Sequence, residues 1–322
     1  MFCPGNNKKT IGTTMFATNE VVAHLQNNMP SNQWQDVSLD NKKEIFQKVA
    51  EQLHQNQSKL FYLLATEAGK TLKDADAEVR EAIDFVNYYV CEGEKAFSPH
   101  KLKGPTGENN YLSHEAKGNF LCISPWNFPL AIFVGQITAA LVAGNNVIAK
   151  PAEDTSIIAY EVIKIFHNAG IPKEALQLVI ADKEVSDELT KLNWLSGIAF
   201  TGSSEAAKKI NLNLAMSEGP IKTFIAETGG LNAMFVDSSA LKEQVIDDIV
   251  RSAFLSAGQR CSALRVVYVQ DDVADEYWDY LVEAMQELSQ GNPINLDVDI
   301  GPIINKSSLE KLVAHSSSLK KL

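Results

Sequence analysis

The sequence predicts an α/β protein built around a parallel sheet, and three observations carry that prediction. From Phe120 to Phe200 short β-rich runs alternate with helical stretches, the pattern of βαβ units. The strand-like runs end in turn-forming residues, as at Ser124-Pro125, Lys150-Pro151 and Gly202-Ser203. The 322 residues are 45% hydrophobic and 21% charged, ordinary globular usage that supplies a large core for two domains, or for one domain and part of another.

Taken in order, Asn41 to Glu67 places Ile45, Val49, Leu53, Leu60 and Leu64 at helical spacing, and Ala75, Val79, Ile83, Val86 and Val90 continue that period after Gly69. Two amphipathic helices therefore open the fold, and the Gly-, Pro- and Asn-rich stretch Lys101 to Asn110 follows as a loop. Strands are predicted at Phe120–Ile123, Asn146–Ala149, Leu176–Ile180 and Gly197–Phe200, with helices from Pro129 and from Thr155. After Ser203 comes a helix, then strands at Lys222–Ala226 and Ala233–Val236, separated by Thr228-Gly229-Gly230, a domain crossing. A helix over Glu243–Ala257, a strand over Arg265–Val269 and a helix from Val273 to about Ser289 complete the pattern before a polar tail, Ser316 to Leu322.

Charge and cysteine usage exclude several classes. Forty acidic residues against 29 basic ones give a net charge of -11, the opposite of a nucleic-acid-binding face. The longest apolar run, Pro129 to Gly144, is interrupted by Gly135, Gln136 and Thr138 and is shorter than the roughly 20 residues of a membrane span, so it reads as a buried helix. The first ten residues lack the apolar centre of a secretory signal. Cysteines at 3, 91, 122 and 261 form no Cys-x-x-Cys pair and have no close His companion, which leaves no metal site and no disulfide framework and points to a reducing cytoplasm.

Among the cysteines, Cys261 follows a helix end marked by Gly258, sits beside Arg260 and precedes a strand, a loop where a thiol is reachable and a cation favours its thiolate. Cys122 lies inside an apolar strand, Cys91 ends a helix and Cys3 lies on a loose terminus; these three read as structural. A thiolate nucleophile needs a base and an oxyanion donor. Glu227 ends an apolar strand, where partial burial raises a carboxylate toward the range of a general base. Asn127 lies in Ser124-Pro125-Trp126-Asn127-Phe128-Pro129, between a strand and a helix start. No Gly-x-Gly-x-x-Gly is present, but Gly202-Ser203 joins a strand to a helix whose amides can accept a pyrophosphate, and Lys150 with Glu153 can hydrogen-bond a ribose diol. Taken singly, each has a plain explanation: a small buried thiol, a turn charge, a proline-fixed turn, an exposed charged pair.

Together these pieces resemble the aldehyde dehydrogenase superfamily: Pro125-Trp126-Asn127-Phe128-Pro129, Lys150-Pro151-Ala152-Glu153, Phe200-Thr201-Gly202-Ser203, Glu227-Thr228-Gly229-Gly230 and Gly258-Gln259-Arg260-Cys261 stand in that family's order. The wording around Cys122–Asn127, Ala226–Met234 and Gln259–Arg265 is similar to the L-glutamate γ-semialdehyde (1-pyrroline-5-carboxylate) dehydrogenase module of the bifunctional proline utilization A proteins. The resemblance implies a Rossmann-type NAD-binding domain with N-terminal helices over 41–230, after an N-terminal extension over 1–40, and an incomplete α/β catalytic domain over 231–322. It makes Cys261 the nucleophile, Asn127 the oxyanion donor together with the Cys261 N–H, and Glu227 the base that activates water. It assigns Ser124, Pro125, Trp126, Lys150, Glu153, Gly202, Ser203, Thr228 and Gly229 to the NAD site, and Ser262, Phe128, Glu81 and Arg260 to the substrate pocket. The substrate is a small aldehyde, and a proline dehydrogenase module and a homo-oligomer belong to the complete protein. Family members continue well beyond Asp299-Ile300-Gly301-Pro302, so the chain is expected to be truncated and slow in turnover. An aldehyde dehydrogenase of another substrate class, or a non-catalytic nucleotide-binding remnant, are the competing readings.

Overall fold

The computed structural model describes residues 1–320. A hairpin of β1 (Phe2–Cys3) and β2 (Asn6–Thr10) is followed by helices α1 (Asn19–Asn27), α2 (Leu39–Gln55), α3 (Gln57–Glu67) and α4 (Leu72–Phe97). A second hairpin, β3 (His100–Leu102) and β4 (Asn110–Leu112), precedes the alternating region. This comprises β5 (Asn119–Ile123), α5 (Ala131–Val142), β6 (Asn146–Lys150), α6 (Ser156–Ala169), β7 (Leu176–Leu178), α7 (Lys183–Leu189), β8 (Leu195–Gly202), α8 (Ser204–Ala215) and β9 (Thr223–Thr228). Then come β10 (Asn232–Val236), α9 (Lys242–Phe254), β11 (Leu264–Val269), α10 (Ala274–Gln286) and α11 (Lys306–Leu319). The chain divides into two compact units, one of residues 14–58 and 78–227, the other of residues 1–13, 59–77 and 228–322.

The larger unit is a five-stranded sheet in the order β7-β6-β5-β8-β9. Strands β6 and β8 flank β5 and run parallel to it, and β7 runs parallel to β6. All five residues of β5 and of β6 are buried, as strands covered on both faces must be, and their continuous apolar runs follow from that. Helix α5 is apolar nearly all round and buries Phe133, Val134, Ile137 and Leu141. Ala207 on α8 is buried in one cluster with Ile198, Phe200 and Ile210, so the small residue there lets the helix sit close to β8.

In the smaller unit β10 and β11 form a parallel pair, and α9 and α10 pack Ile246 and Tyr277 around Val236. Among the described residues no helix is long and apolar enough to cross a membrane.

Several expectations give way. The helix over Asn41–Glu67 is two helices, because Asn56 closes α2 with its N–H and its side-chain Nδ2 both on the Gln52 carbonyl. The amino terminus is not loose: the Met1 ammonium donates to Gly12 O at 2.8 Å, and Cys3 is buried in the hairpin. Cys91 lies inside α4 and is exposed rather than ending a helix. The Lys101–Asn110 loop is narrower than predicted, since its two ends pair as β3 and β4. Helix α7 went unpredicted; Asp182 starts it by accepting from Val185 N–H at 2.9 Å. Helix α9 stops at Phe254, because Ser256 and Ala257 turn left-handed. The polar tail is the end of α11 as far as Leu319, started by the Asn305 side chain; Lys321 and Leu322 lie outside the described residues.

Candidate active site

In the larger unit, register brings three loops to one edge of the sheet. Ile123 pairs with Lys150 on one side and with Phe200 on the other, so the loops after β5, β6 and β8 leave the carboxyl edge side by side. Since β6 and β7 lie on one side of β5 and β8 and β9 on the other, the boundary between β5 and β8 is the switch point where ligands of open α/β sheets bind.

The loop after β5 begins with Ser124, which donates its N–H to Lys150 O at 3.1 Å and has a buried hydroxyl. Pro125, Trp126, Asn127 and Phe128 are half-buried. The loop's far end is held by Glu78 of α4, which is fully buried and whose Oε1 accepts the N–H groups of Leu130 at 2.9 Å and Ala131 at 3.2 Å. Those are orphan donors at the start of α5, and a carboxylate there also meets the positive end of the helix dipole. Glu81, one turn on from Glu78, is half-buried.

At the end of β6, Lys150 is only 7% exposed and donates Nζ to Pro151 O at 2.9 Å. Burial pushes its pKa down, against the pull of Glu153 and Asp182. Glu153 itself is exposed, so the two residues are not a surface pair. At the end of β8, Gly202 lies where a Cβ would stand 2.6 Å from the Phe200 ring, and the Ser203 side chain caps α8 by accepting from Ala206 N–H at 3.2 Å. Glu227, expected to be partly buried, is exposed: among the described residues β9 is the edge strand of its sheet.

The smaller unit holds the cysteine loop. Cys261 and Ser262 are exposed, whereas burial lifts the Cys122 thiol to about 12 and leaves it donating to Gln136 O. Ahead of Cys261, three consecutive residues take left-handed backbone: Ser256 and Ala257 at φ 54° and Gly258 at φ 66°. Two non-glycine residues in that region store strain, and strain of this kind collects at functional loops. A Cβ at 258 would also stand 2.8 Å from Ala253 O.

Several side chains hold this loop. Asp74 accepts from Ser256 N–H at 3.1 Å. Gln259 receives Ile304 N–H on Oε1 at 3.0 Å and gives Nε2 to Pro302 O at 3.3 Å. Asn232 donates Nδ2 to the carbonyls of Cys261 at 2.8 Å and Ala263 at 3.0 Å. Arg260, expected as a cation beside the thiol, instead donates Nη2 to the carbonyls of Arg251 at 2.9 Å and Ser252 at 3.2 Å, where it closes the end of α9. Thr228 is half-buried and Gly229 exposed at the end of β9. The supporting residues Asp74, Glu78, Asn232 and Gln259 were not singled out from the sequence. Only Asp74 carried a signal, the Thr71-x-x-Asp74 spacing of a capped helix start.

The chain is 43% identical over 98% of its length to the bifunctional protein PutA of Salmonella typhimurium, of which it covers 24%. It is 33% identical over 96% of its length to 1-pyrroline-5-carboxylate dehydrogenase of Staphylococcus haemolyticus, covering 61% of that protein. The structure of Thermus thermophilus 1-pyrroline-5-carboxylate dehydrogenase superposes with a TM-score of 0.93 at 29% identity, over 98% of this chain and 62% of that one. The chain thus spans about a quarter of the length of the bifunctional relatives it matches. With residues 1–321 matched by the aldehyde dehydrogenase family, and with the sheet, switch-point loops and cysteine loop in place, the chain belongs to that family.

Proposed function

We propose that this chain carries the NAD-dependent oxidation of L-glutamate γ-semialdehyde, the open form of 1-pyrroline-5-carboxylate, to L-glutamate. The observation that carries the reading is the exposed Cys261 on its strained, braced loop, set against the deeply buried Cys122. In this reading the Cys261 thiolate adds to the aldehyde carbon to give a thiohemiacetal, and the Asn127 side-chain amide and the Cys261 N–H donate to the oxyanion. NAD, when bound, accepts the hydride that leaves the former aldehyde carbon. Glu227 then takes a proton from water as that water attacks the thioester, and glutamate leaves as Cys261 is restored.

The residues at the carboxyl edge fit a dinucleotide. Gly202 leaves room for close approach, the exposed start of α8 offers backbone donors to a pyrophosphate, and the buried Lys150 ammonium with the exposed Glu153 suits a ribose diol. Trp126, Pro125 and Ser124 line the β5 side, and Thr228 with Gly229 follows Glu227. On the substrate side Phe128 suits the aliphatic stem, while Ser262 offers a hydroxyl to the carboxylate; Glu81 completes the proposed set, and Arg260, held at the end of α9, supports the loop instead. Relatives named for 1-pyrroline-5-carboxylate oxidation support that substrate class, and those named bifunctional support a proline dehydrogenase partner module in a longer protein. A cytoplasmic setting fits the unpaired cysteines.

The test is an absorbance assay at the nicotinamide band with a semialdehyde panel. Cysteine-dependent reduction of NAD with glutamate semialdehyde is expected, abolished by Cys261→Ser. Equal rates for wild type and Cys261→Ser, or preference for an aldehyde without a carboxylate, would overturn the reading.

A further inference from the structure

Helix α5 returns one side chain to the root of the loop it follows. The Nε2 of Gln136 donates to Ile123 O at 3.3 Å and to the Thr201 hydroxyl at 3.0 Å. Ile123 is the last residue before the Ser124–Phe128 loop, and Thr201 is the residue before Gly202-Ser203, so a single amide touches the base of both loops at the switch point. The register between β5 and β8 ends at Ile123 opposite Phe200, so Gln136 joins the last paired residue of β5 to the residue that follows the last paired one of β8. The orientation of the amide follows from the partners: with the group reversed, Oε1 would face the Ile123 carbonyl oxygen, acceptor against acceptor. The adjoining contact from Cys122 Sγ to Gln136 O, at 3.7 Å, docks the same turn of α5 on β5.

We propose that Gln136 is a positioning residue that ties the two switch-point loops together, so that the turn offered to the pyrophosphate and the loop offering Asn127 are ordered as one piece. The helix side chain thus bridges the two strands at the carboxyl end of their paired register. A ligand seated on either loop then acts on a partner already held. The value of this for cofactor binding rests on the dinucleotide reading above, whereas the tether itself is a property of the protein without ligand.

Two measurements test it on the full chain, comparing wild type with Gln136→Met, which keeps size and helix propensity but has no donor, with Thr201→Val, and with the double variant. Hydrogen exchange followed by mass spectrometry, with no cofactor added, is expected to show the segments around 123–129 and 200–205 exchanging faster together in Gln136→Met. In NAD titrations Gln136→Met is expected to bind about tenfold more weakly, the effect of roughly one hydrogen bond, and the double variant no more weakly than Gln136→Met alone. Faster exchange spread evenly over the whole chain, or confined to one of the two loops, would overturn the tether, as would a lowered melting temperature with unchanged NAD affinity. A wild-type chain that takes up no NAD while Gln136→Met still loosens both loops would sink the cofactor reading and leave the tether standing.

Discussion

The Asp74 carboxylate accepts the backbone N–H of Ser256 at 3.1 Å, and Ser256 is the first of the two non-glycine residues held in left-handed backbone ahead of Cys261. Asp74 is itself fixed at the start of α4 by a reciprocal pair with the Thr71 hydroxyl. A strained turn persists only when its surroundings over-determine it, and this hydrogen bond is one of the determinants. Asp74→Ala should cost about 1 to 3 kcal/mol in denaturant unfolding. It should also change the alkylation rate of Cys261 while that of Cys91, on a regular helix, stays constant. Asp74→Asn, which keeps an acceptor, should lie near wild type. An unchanged Cys261 rate in Asp74→Ala would show that the turn holds itself.

Brief iodoacetamide treatment of the folded chain should label the exposed Cys91 and Cys261 and spare the buried Cys3 and Cys122. Raising the pH should not expose Cys122 to reagent in the ordinary thiol range, because its ionisation is displaced to about 12 by burial. Peptide mass mapping reads all four sites in one experiment. Early labelling of Cys122 would mean that β5 opens far more readily than its burial implies.

Glu78 accepts two backbone N–H groups at the start of α5. In Glu78→Leu both N–H groups lose their buried acceptor, at about 1 to 3 kcal/mol each, so a large fall in the urea midpoint is expected. Glu78→Gln retains one carbonyl oxygen and should recover most of it. A Glu78→Leu chain as stable as wild type would show that water reaches the helix start.

Lys150 should make NAD affinity fall on the alkaline side earlier than an ordinary lysine would. Its pKa lies below 10.5 because burial disfavours the ammonium, with Glu153 and Asp182 opposing only in part. The proton is therefore lost at lower pH, and with it a donor for the ribose hydroxyls. Titrations of NAD from pH 7 upward should show this loss in wild type and a flatter profile in Lys150→Met, whose affinity is lower throughout. Superimposable profiles would remove Lys150 from the cofactor site.

The sheet was legible in the sequence because β5 and β6 are buried on both faces, which makes their central residues, Phe120–Ile123 and Val147–Ala149, unbroken apolar runs. Their loops were legible for a related reason, since Ser124-Pro125 and Lys150-Pro151 stop a strand by chemistry local to the chain. The supports were not legible. Glu78 reads as one more polar residue on an amphipathic helix, and its partners lie 52 and 53 residues away. Gln136 reads as an interruption of an apolar run, which is how a buried tether looks when its partners on neighbouring strands are unseen. Glu227 misled for the opposite reason: an apolar approach suggested cover, but β9 lies at the sheet edge. Arg260 adjoins Cys261 in sequence, yet its guanidinium is bound to the end of α9.

The left-handed run at Ser256, Ala257 and Gly258 has a stereochemical consequence. Locally the backbone is the mirror image of an ordinary helical turn, the conformation that a D-amino acid adopts with ease and an L-amino acid resists. Chirality at the α-carbon is thus on the wrong side for two residues in succession just ahead of the cysteine, and the achiral residue, glycine, occurs only at the third. A chain assembled by ligation with D-alanine at 257 would meet this turn without the steric conflict that its natural enantiomer carries.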